Sequence, residues 1–410
     1  MTERLLVCGL GSGMDHSLAE LRLPQRELVV VTDTPTDRAR AAADVLLVCD
    51  PTDSTAVLVE LSAAGVDRLD GVFSLGADNP PVISVLAHRF GCPGLPLETA
   101  LSCTLKDRRL AILREAGLDL PRFGTAESVD EALRVVAEVG LPAVIKPSDQ
   151  TGSLGVLKVE SPETVLETAA ESLRLSPVGR IVVEEFLEGT EHTLAAFMLD
   201  GELHRFGFAD REYGRKEEFA PYFFEGGDTL PSRLTPEQIE EVTDTVRRGA
   251  RALRLDPAVI NTDILRTRDG RVVLLEITCR LTGARIATEV MRLATGVDPL
   301  PNLVRLALGR PLELSELRPT RGRAVVQRFL PADGGVVEWV GNPRDVARRA
   351  GVHDVFWGIE MEPGTVVPPY RGGADVLAGV IAYADEPAEA EAIAERTLRA
   401  LPLRFKAPVQ

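Results

Sequence analysis

Over the first hundred residues short apolar runs alternate with amphipathic stretches. Leu5–Gly9, Leu28–Thr32, Val45–Cys49 and Gly71–Ser74 read as strands. Ala56–Ala64 and Pro81–Phe90 read as helices between some of them. Strands that are apolar throughout rather than at every second position, with helices as crossovers, predict a parallel sheet covered on both faces. A helix follows from Thr104-Leu105-Lys106-Asp107 to Gly117. Val139–Lys146 reads as a turn and a strand, Val156–Glu160 as a strand after a small-residue loop, and Arg180–Glu185 as another. Thr193–Leu199 and Glu202–Phe208 flank Asp200-Gly201, the composition of a two-residue hairpin turn. Gln238–Leu253 has a helical period and is opened by Thr235-Pro236. Val259–Arg266 and Arg271–Ile277 flank a second such turn at Asp269-Gly270. From Gly322 the texture changes to short strands and Gly/Pro turns, closed by a helix over Glu386–Leu401. The chain has no internal repeat and no low-complexity segment.

Composition narrows the function classes. The chain has 410 residues, with 46 Lys+Arg against 62 Asp+Glu and a net charge of −16. An acidic surface argues against a nucleic-acid partner, which needs basic groups to neutralise phosphates. The length fits two to four domains. No apolar run approaches the ~20 residues of a membrane span, and Leu5–Gly9 is too short for a signal peptide. The five cysteines are scattered and show no metal-ligand spacing; with only five histidines, zinc is not expected. A reduced, cytoplasmic protein with no membrane partner is the expectation.

Four constellations could carry chemistry. Gly9-Leu10-Gly11-Ser12-Gly13 follows the first strand and Asp33 ends the second, as in a dinucleotide fold. The third fingerprint glycine is replaced by Met14, so the stretch also reads as a tight strand-to-helix turn. At the second Asp-Gly turn, pairing Arg268 with Arg271 places Asp263 directly opposite Glu276. Their Cβ atoms would then be about 5 Å apart. Facing carboxylates without His or Cys suit magnesium shared with a phosphate; a solvated charged face is the other reading. Strand alternation puts Glu276, Thr278 and Arg280 on one face. Lys146 ends a strand before Pro147-Ser148-Asp149-Gln150-Thr151-Gly152-Ser153-Leu154-Gly155. The backbone N–H groups of this loop could cradle phosphates, although a plain hairpin loop has the same composition. VVEEFLEGTE (182–191) is a strand exit that could offer backbone to an adenine edge and a carboxylate to a ribose, or simply a polar strand end.

In this order the pieces resemble the ATP-grasp superfamily of carboxylate–amine ligases. The resemblance lies in LKDRRLAILREAGLDLPRF (105–123), LPAVIKPSDQTGSLGV (141–156), VVEEFLEGTEHT (182–193) and INTDILRTRDGRVVLLEITCR (260–280). The tail from about 320, beginning RGRAVVQRFLPADGGVVEWVG, is similar to the C-terminal subdomain of the L-amino-acid ligase branch, which makes dipeptides and related amides.

The resemblance implies an α/β fold, α+β in part. An N-terminal Rossmann-like domain that binds no dinucleotide would cover 1–105, a small lobe with the phosphate loop 106–190, a central lobe with the magnesium site 191–318, and a C-terminal subdomain 319–410. It implies that Lys106 and Lys146 contact ATP phosphates. Ser148 to Gly155, with Gly152 and Ser153, would form the mobile phosphate cover. Glu184, Glu185, Phe186 and Leu187 would form the adenine hinge, and Glu191 would hold the ribose. Asp263 and Glu276 would hold Mg2+, with Mn2+ as a substitute. Arg280 would stabilise the acyl phosphate.

There are two departures from the family pattern. Glu276-Ile277-Thr278 replaces Glu-x-Asn; Thr278 is a weaker ligand that Asn261, opposite it, could supplement. Arg280-Leu281-Thr282-Gly283-Ala284-Arg285 lacks the paired glycines of close relatives. Gly283 and Arg285 are therefore candidate substrate contacts, while Arg285 reads equally as part of a salt bridge.

The implied activity is ATP-dependent joining of a carboxylate and an amine, both expected to be amino acids, with small molecules as partners and a homodimer admissible. Carboxylation or purine-type ligation within the same superfamily, a nicotinamide oxidoreductase and a silent nucleotide-binding module are the alternatives.

Overall fold

In the computed structural model, which describes residues 2–406, the four apolar runs at the N-terminus pair as expected. They are β1 (Glu3–Leu10), β2 (Arg26–Thr32), β3 (Val45–Val48) and β4 (Gly71–Leu75), all parallel, in the order β3-β2-β1-β4. The runs do not alternate because both faces are buried. Leu5, Val7, Leu28 and Val30 enter one core, and Leu6, Cys8, Val29 and Val31 the other. Each such side chain contributes about 1.5–3 kcal/mol of burial.

The helix expected from about 104–107 to 117 runs Lys106–Glu115, and a second helix that the sequence did not suggest, Leu97–Thr104, directly precedes it. Leu105 is extended between them, and the N–H of Lys106 donates to the Ser148 carbonyl at 2.9 Å instead of continuing a helix. A small antiparallel sheet follows. It contains β5 (Phe123–Ala126), β6 (Ala143–Pro147), β7 (Leu157–Val159) and β8 (Ile181–Glu185) in the order β5-β8-β6-β7. Helices Val129–Val139 and Pro162–Leu175 pack on it through Val136, Val165 and Ala169.

The central part adds β9 (Gly189–Leu199), β10 (Glu202–Arg211), β11 (Gly227–Leu230), β12 (Ala258–Thr267) and β13 (Val272–Thr278). The first Asp-Gly turn is as expected. Leu199 faces Glu202, and Asp200 and Gly201 have φ of 51° and 77°, the left-handed pair a primed turn needs. The second differs. Arg266 pairs with Val272, and Thr267 closes a three-residue loop, Arg268–Gly270, with Gly270 at φ 91°. That loop slips the register by one, and a bulge at Leu275 slips it back. Asp263 therefore still faces Glu276, and Asn261 faces Thr278. Helix Pro236–Ala252 starts at a reciprocal Thr235/Gln238 capping box and covers the outer face through Val242, Val246 and Ala250.

The last segment holds β14 (Ala324–Pro331), β15 (Asp333–Val340), β16 (Val352–Trp357), β17 (Val366–Pro369), β18 (Val376–Ala384) and β19 (Leu403–Phe405). Strands β14, β18 and β16 extend the central sheet to eight, β13-β12-β9-β10-β11-β14-β18-β16; β17, β15 and β19 form a separate three-stranded sheet. Helix Pro387–Arg399 packs on the extension through Ala390 and Ala394. Among the described residues no helix is long and apolar enough to cross a membrane.

Candidate active site

A cavity of about 160 Å³ opens between the small sheet and the end of the large one. Lys146, the fourth residue of β6, points into it with its ammonium 2.6 Å from the Glu184 carboxylate on β8. Lys106, the first residue of its helix, reaches the same space and donates to the Gln150 carbonyl. Burial pushes the Lys106 ammonium down to about 8, against the pull of Glu276. Gln150, Thr151, Gly152 and Ser153 also line the cavity. This loop is tied to the C-terminal segment where the Gly373 N–H donates to the Gly152 carbonyl at 2.9 Å.

Four members of the expected phosphate cover, Ser148, Asp149, Leu154 and Gly155, do not border the cavity. The Ser148 hydroxyl donates to Asp107 at 2.5 Å, and Asp107 is also paired with Arg180 at 2.7 Å; Ser148 braces the loop's entry. Gly155, at φ 71°, lies where a Cβ would come within 2.9 Å of Leu175 and Pro147, so its role is packing. The expected hinge, Glu184 to Leu187, does border the cavity. The Glu185 carboxylate, however, accepts from Arg122 at 3.1 Å. The Phe186 ring lies beneath the ammonium groups of Lys158 and Lys216. Glu191 lines the cavity too, and burial pushes its carboxyl up to about 7.

Asp263 and Glu276 face each other across β12 and β13 at the cavity's inner end. Their environments differ. Arg211, at the end of β10, pairs with Asp263 and with Glu225. Burial still holds the Asp263 carboxyl above its ordinary value, with Glu276 adding to it. Burial works the same way on Glu276, but Arg109, Lys106, Arg280 and Lys146 together hold it below the ordinary value. Arg109 stands 3.9 Å away. Two hard carboxylates at this spacing suit magnesium completed by nucleotide phosphates and water. Among the described residues no group of three His, Cys, Asp or Glu could hold a metal without such help.

The suggested supplement from Asn261 is not assembled. Its Oδ1 accepts from Thr282 at 2.6 Å and Thr193 at 3.4 Å, and Thr278 turns to Asp78 at 3.5 Å. Arg280 follows β13. Its Nη2 is 3.0 Å from Asp78, and its Nε is buried without a partner among the described residues. Burial opposes its charge; Asp78, Glu276 and Asp263 more than restore it. Asp78 escaped the sequence reading because it lies 202 residues away, in the turn after β4. The only trace it left was a carboxylate in a Gly-Ala-Asp-Asn turn at the carboxyl end of a parallel strand, where such folds bind ligands.

Gly283 packs against the turn at Gly76 and offers no side chain. Arg285 takes the salt-bridge reading rather than that of a substrate contact. It is buried, paired with Glu289 and with Asp354 at 2.7 Å, and stacked over Phe356. Sequence reasoning also missed Arg109, Arg211, Tyr213 and Asp228. Asp228 faces Arg211 on β10 and Gln327 on β14. Neither Asp228 nor Gln327 has any exposed surface. Both Asp228 oxygens and the Gln327 Oε1 lack a partner among the described residues. Burial pushes the Asp228 carboxyl up to about 8.

Comparison with known proteins agrees with this geometry. Residues 139–289 match the ATP-grasp domain family, and residues 328–406 match L-amino acid ligase C-terminal domain 2. An uncharacterized protein of Sinorhizobium fredii is 30% identical over 360 residues, which are 86% of this chain and 72% of that protein. The carbamoyl phosphate synthase large chain of Thermotoga neapolitana is 27% identical over 308 residues. These are 72% of this chain but 26% of that protein, so the chain spans about a quarter of such relatives. The L-amino acid ligase from Bacillus licheniformis superposes with a TM-score of 0.81 at 20% identity, covering 99% of both chains. Phosphoribosylglycinamide synthetase from Anaerococcus prevotii does so with a TM-score of 0.71 at 17% identity, covering 99% of this chain and 100% of that one. At these identities the solved structures show the fold alone. From the matched domains, the sequence relative and the shared fold together, the chain belongs to the ATP-grasp family of ATP-dependent carboxylate–amine ligases, in the branch that carries the L-amino acid ligase C-terminal domain.

Proposed function

We propose that the protein joins the carboxylate of one amino acid to the amine of a second, with ATP converted to ADP and phosphate through an acyl phosphate. The observation that carries this reading is the placement of Asp263 and Glu276 opposite each other on the two arms of one hairpin, in a cavity that Lys106 and Lys146 also line, with Arg280, just past β13, near enough to act on the Glu276 charge. Lys106 and Lys146 offset phosphate charge, and the backbone of Glu184 to Leu187 receives the adenine. Glu191 takes ribose hydroxyls, and the loop 150–153 covers the phosphates. Asp263 and Glu276 would hold magnesium, with manganese as a substitute; when bound, the ion neutralises charge on the transferring phosphoryl group. Arg280 then meets the negative charge that builds on the acyl phosphate and on the attacked carbonyl, held there by Asp78. Catalysis on this reading is positioning and electrostatics. The four-part division at 105, 190 and 318, small-molecule partners and action in the cytoplasm belong to the same proposal.

The test is phosphate release from ATP and magnesium with amino acids supplied singly and in pairs. Dependence on two different amino acids, with the matching dipeptide found by mass, supports the reading. Turnover with bicarbonate or with one substrate alone rejects it in favour of another ATP-grasp reaction.

A further inference from the structure

The sulfurs of Cys103 and Cys279 lie 3.4 Å apart, although 176 residues separate them in the chain. Cys103 is buried at the end of helix Leu97–Thr104. Cys279 directly follows β13 and borders a second cavity, of about 480 Å³, where the N-terminal sheet meets the large one. Phe73, Ile83, Val259 and Leu303 are among its walls. Neither sulfur has a part in the chemistry proposed above.

We propose that Cys103 and Cys279 are a redox modification site, which a small peroxide closes to a disulfide that reversibly lowers turnover. A disulfide needs about 2.05 Å between sulfurs, so the pair must close by roughly 1.4 Å, within reach of side-chain rotation and a slight backbone shift. The cavity brings the oxidant to Cys279. The Cys279 sulfur takes one peroxide oxygen to become a sulfenic acid, and the other oxygen leaves as water. The Cys103 sulfur then attacks the Cys279 sulfur and expels hydroxide, which takes up the Cys103 proton as a second water. Two thiols are oxidised by two electrons, and the peroxide O–O bond is reduced.

Access rather than acidity selects Cys279 for the peroxide: its contact with Cys103 and burial hold its thiol well above the ordinary value, but it borders the cavity while Cys103 is buried. The hydrogen bond from Cys279 holds the Cys103 thiol below its ordinary value, as befits the attacking sulfur.

Both ends of the bridge adjoin groups of the candidate site. The Cys103 carbonyl accepts from Arg109 Nη1 at 2.8 Å, and Cys103 precedes Lys106 by three residues. Cys279 precedes Arg280. Drawing the sulfurs together displaces these cations, and a shift of about 1 Å can cost about 10²-fold in rate. The effect on turnover rests on the ligase reading; closure of the bridge does not.

The test treats the full chain with hydrogen peroxide and follows two readouts. Non-reducing digestion should yield a peptide pair linking Cys103 to Cys279. Phosphate release in the presence of ligase substrates should fall about tenfold or more and return with dithiothreitol. Cys103→Ser and Cys103→Ala should keep the untreated rate, give no linked pair and lose no reversible activity. Absence of the linked pair in the parent, or a linked pair with unchanged turnover, overturns the proposal. If the untreated parent turns over no amino acid pair, the ligase reading fails by itself, and the linked peptide alone decides whether the modification site stands.

Discussion

At Glu276 the local and the three-dimensional environments pull in opposite directions. Its register partner Asp263 repels it, but Arg109 at 3.9 Å and the nearby Lys106 reverse the balance. Glu276→Gln should therefore abolish magnesium-dependent turnover and also destabilise the metal-free protein by about 1–3 kcal/mol, because it strips buried cations of their counter-charge. Urea unfolding without magnesium checks the second part; a stabilised variant would show that the carboxylate pair dominates. Arg280→Lys keeps the charge but loses the guanidinium fork. Turnover should fall by about 10²-fold with the KM for ATP near normal, and Asp78→Asn should cause a smaller loss of the same kind. Steady-state kinetics with ATP varied separates this from a nucleotide-binding role, in which KM would move instead. Asp228 makes a prediction in pH. The folded state keeps its proton to about 8, whereas the unfolded chain releases it near 3.8, so the native state binds more protons between these values and stability falls as pH rises through that window. Asp228→Asn has no such slope. Its melting temperature should gain on the parent's from about pH 4 to about pH 8 and hold a constant lead above. A lead independent of pH would mean that Asp228 is ionised in the folded protein.

Among the elements, β11 is a short strand with a large connecting role. Only Gly227–Leu230 join β10, which carries Arg211, to β14 and the C-terminal strands. Gly227 has φ of 125°, and a Cβ there would sit 2.1 Å from the Gln327 carbonyl oxygen, a backbone atom that cannot swing away. Gly227→Ala should cost about 3 kcal/mol or more, through backbone strain and a lost ladder contact. Denaturant midpoints measure it, and a variant within about 0.5 kcal/mol of the parent would show that the sheet yields at this point. The hairpin β12–β13 shows how an element can reach an expected pairing by an unexpected path. The Asp-Gly composition pointed to a two-residue turn, the loop has three, and the bulge at Leu275 restores the opposition of Asp263 and Glu276. Turn chemistry is local and legible. The bulge sits on β13, the edge strand of the sheet, beside the candidate site, where an extra residue re-aims a side chain.

For the whole molecule the proposed nucleotide cleft is a junction. Lys146 and Glu184 come from the small sheet, Asp263 and Glu276 from the large one, and Asp78 from the turn after β4 of the N-terminal sheet through Arg280. A ligand that touches both sheets stabilises their arrangement by RT ln(1 + [L]/Kd). ATP with magnesium at about 100 times Kd should add about 2.7 kcal/mol. Thermal melts should show that gain in the parent and lose the magnesium-dependent part in Glu276→Gln. An equal magnesium effect in both proteins would place the ion elsewhere.

Much of this architecture was already determined by the sequence. Unbroken apolar runs required a parallel sheet buried on both faces, Asp-Gly pairs required hairpins, strand ends placed Lys146 and Glu184, and hairpin pairing placed Asp263 opposite Glu276, because a strand's alternation and its turns are set by near neighbours. Tertiary structure alone decided what each polar group does. It gave Ser148 to Asp107, Asn261 to Thr282 and Arg285 to Glu289 and Asp354, and it brought Asp78, Arg109 and Arg211 to the site. A buried charge or hydrogen-bonding group takes its partner by distance in space. Such distances follow from how separate sheets pack, which no local pattern of residues encodes.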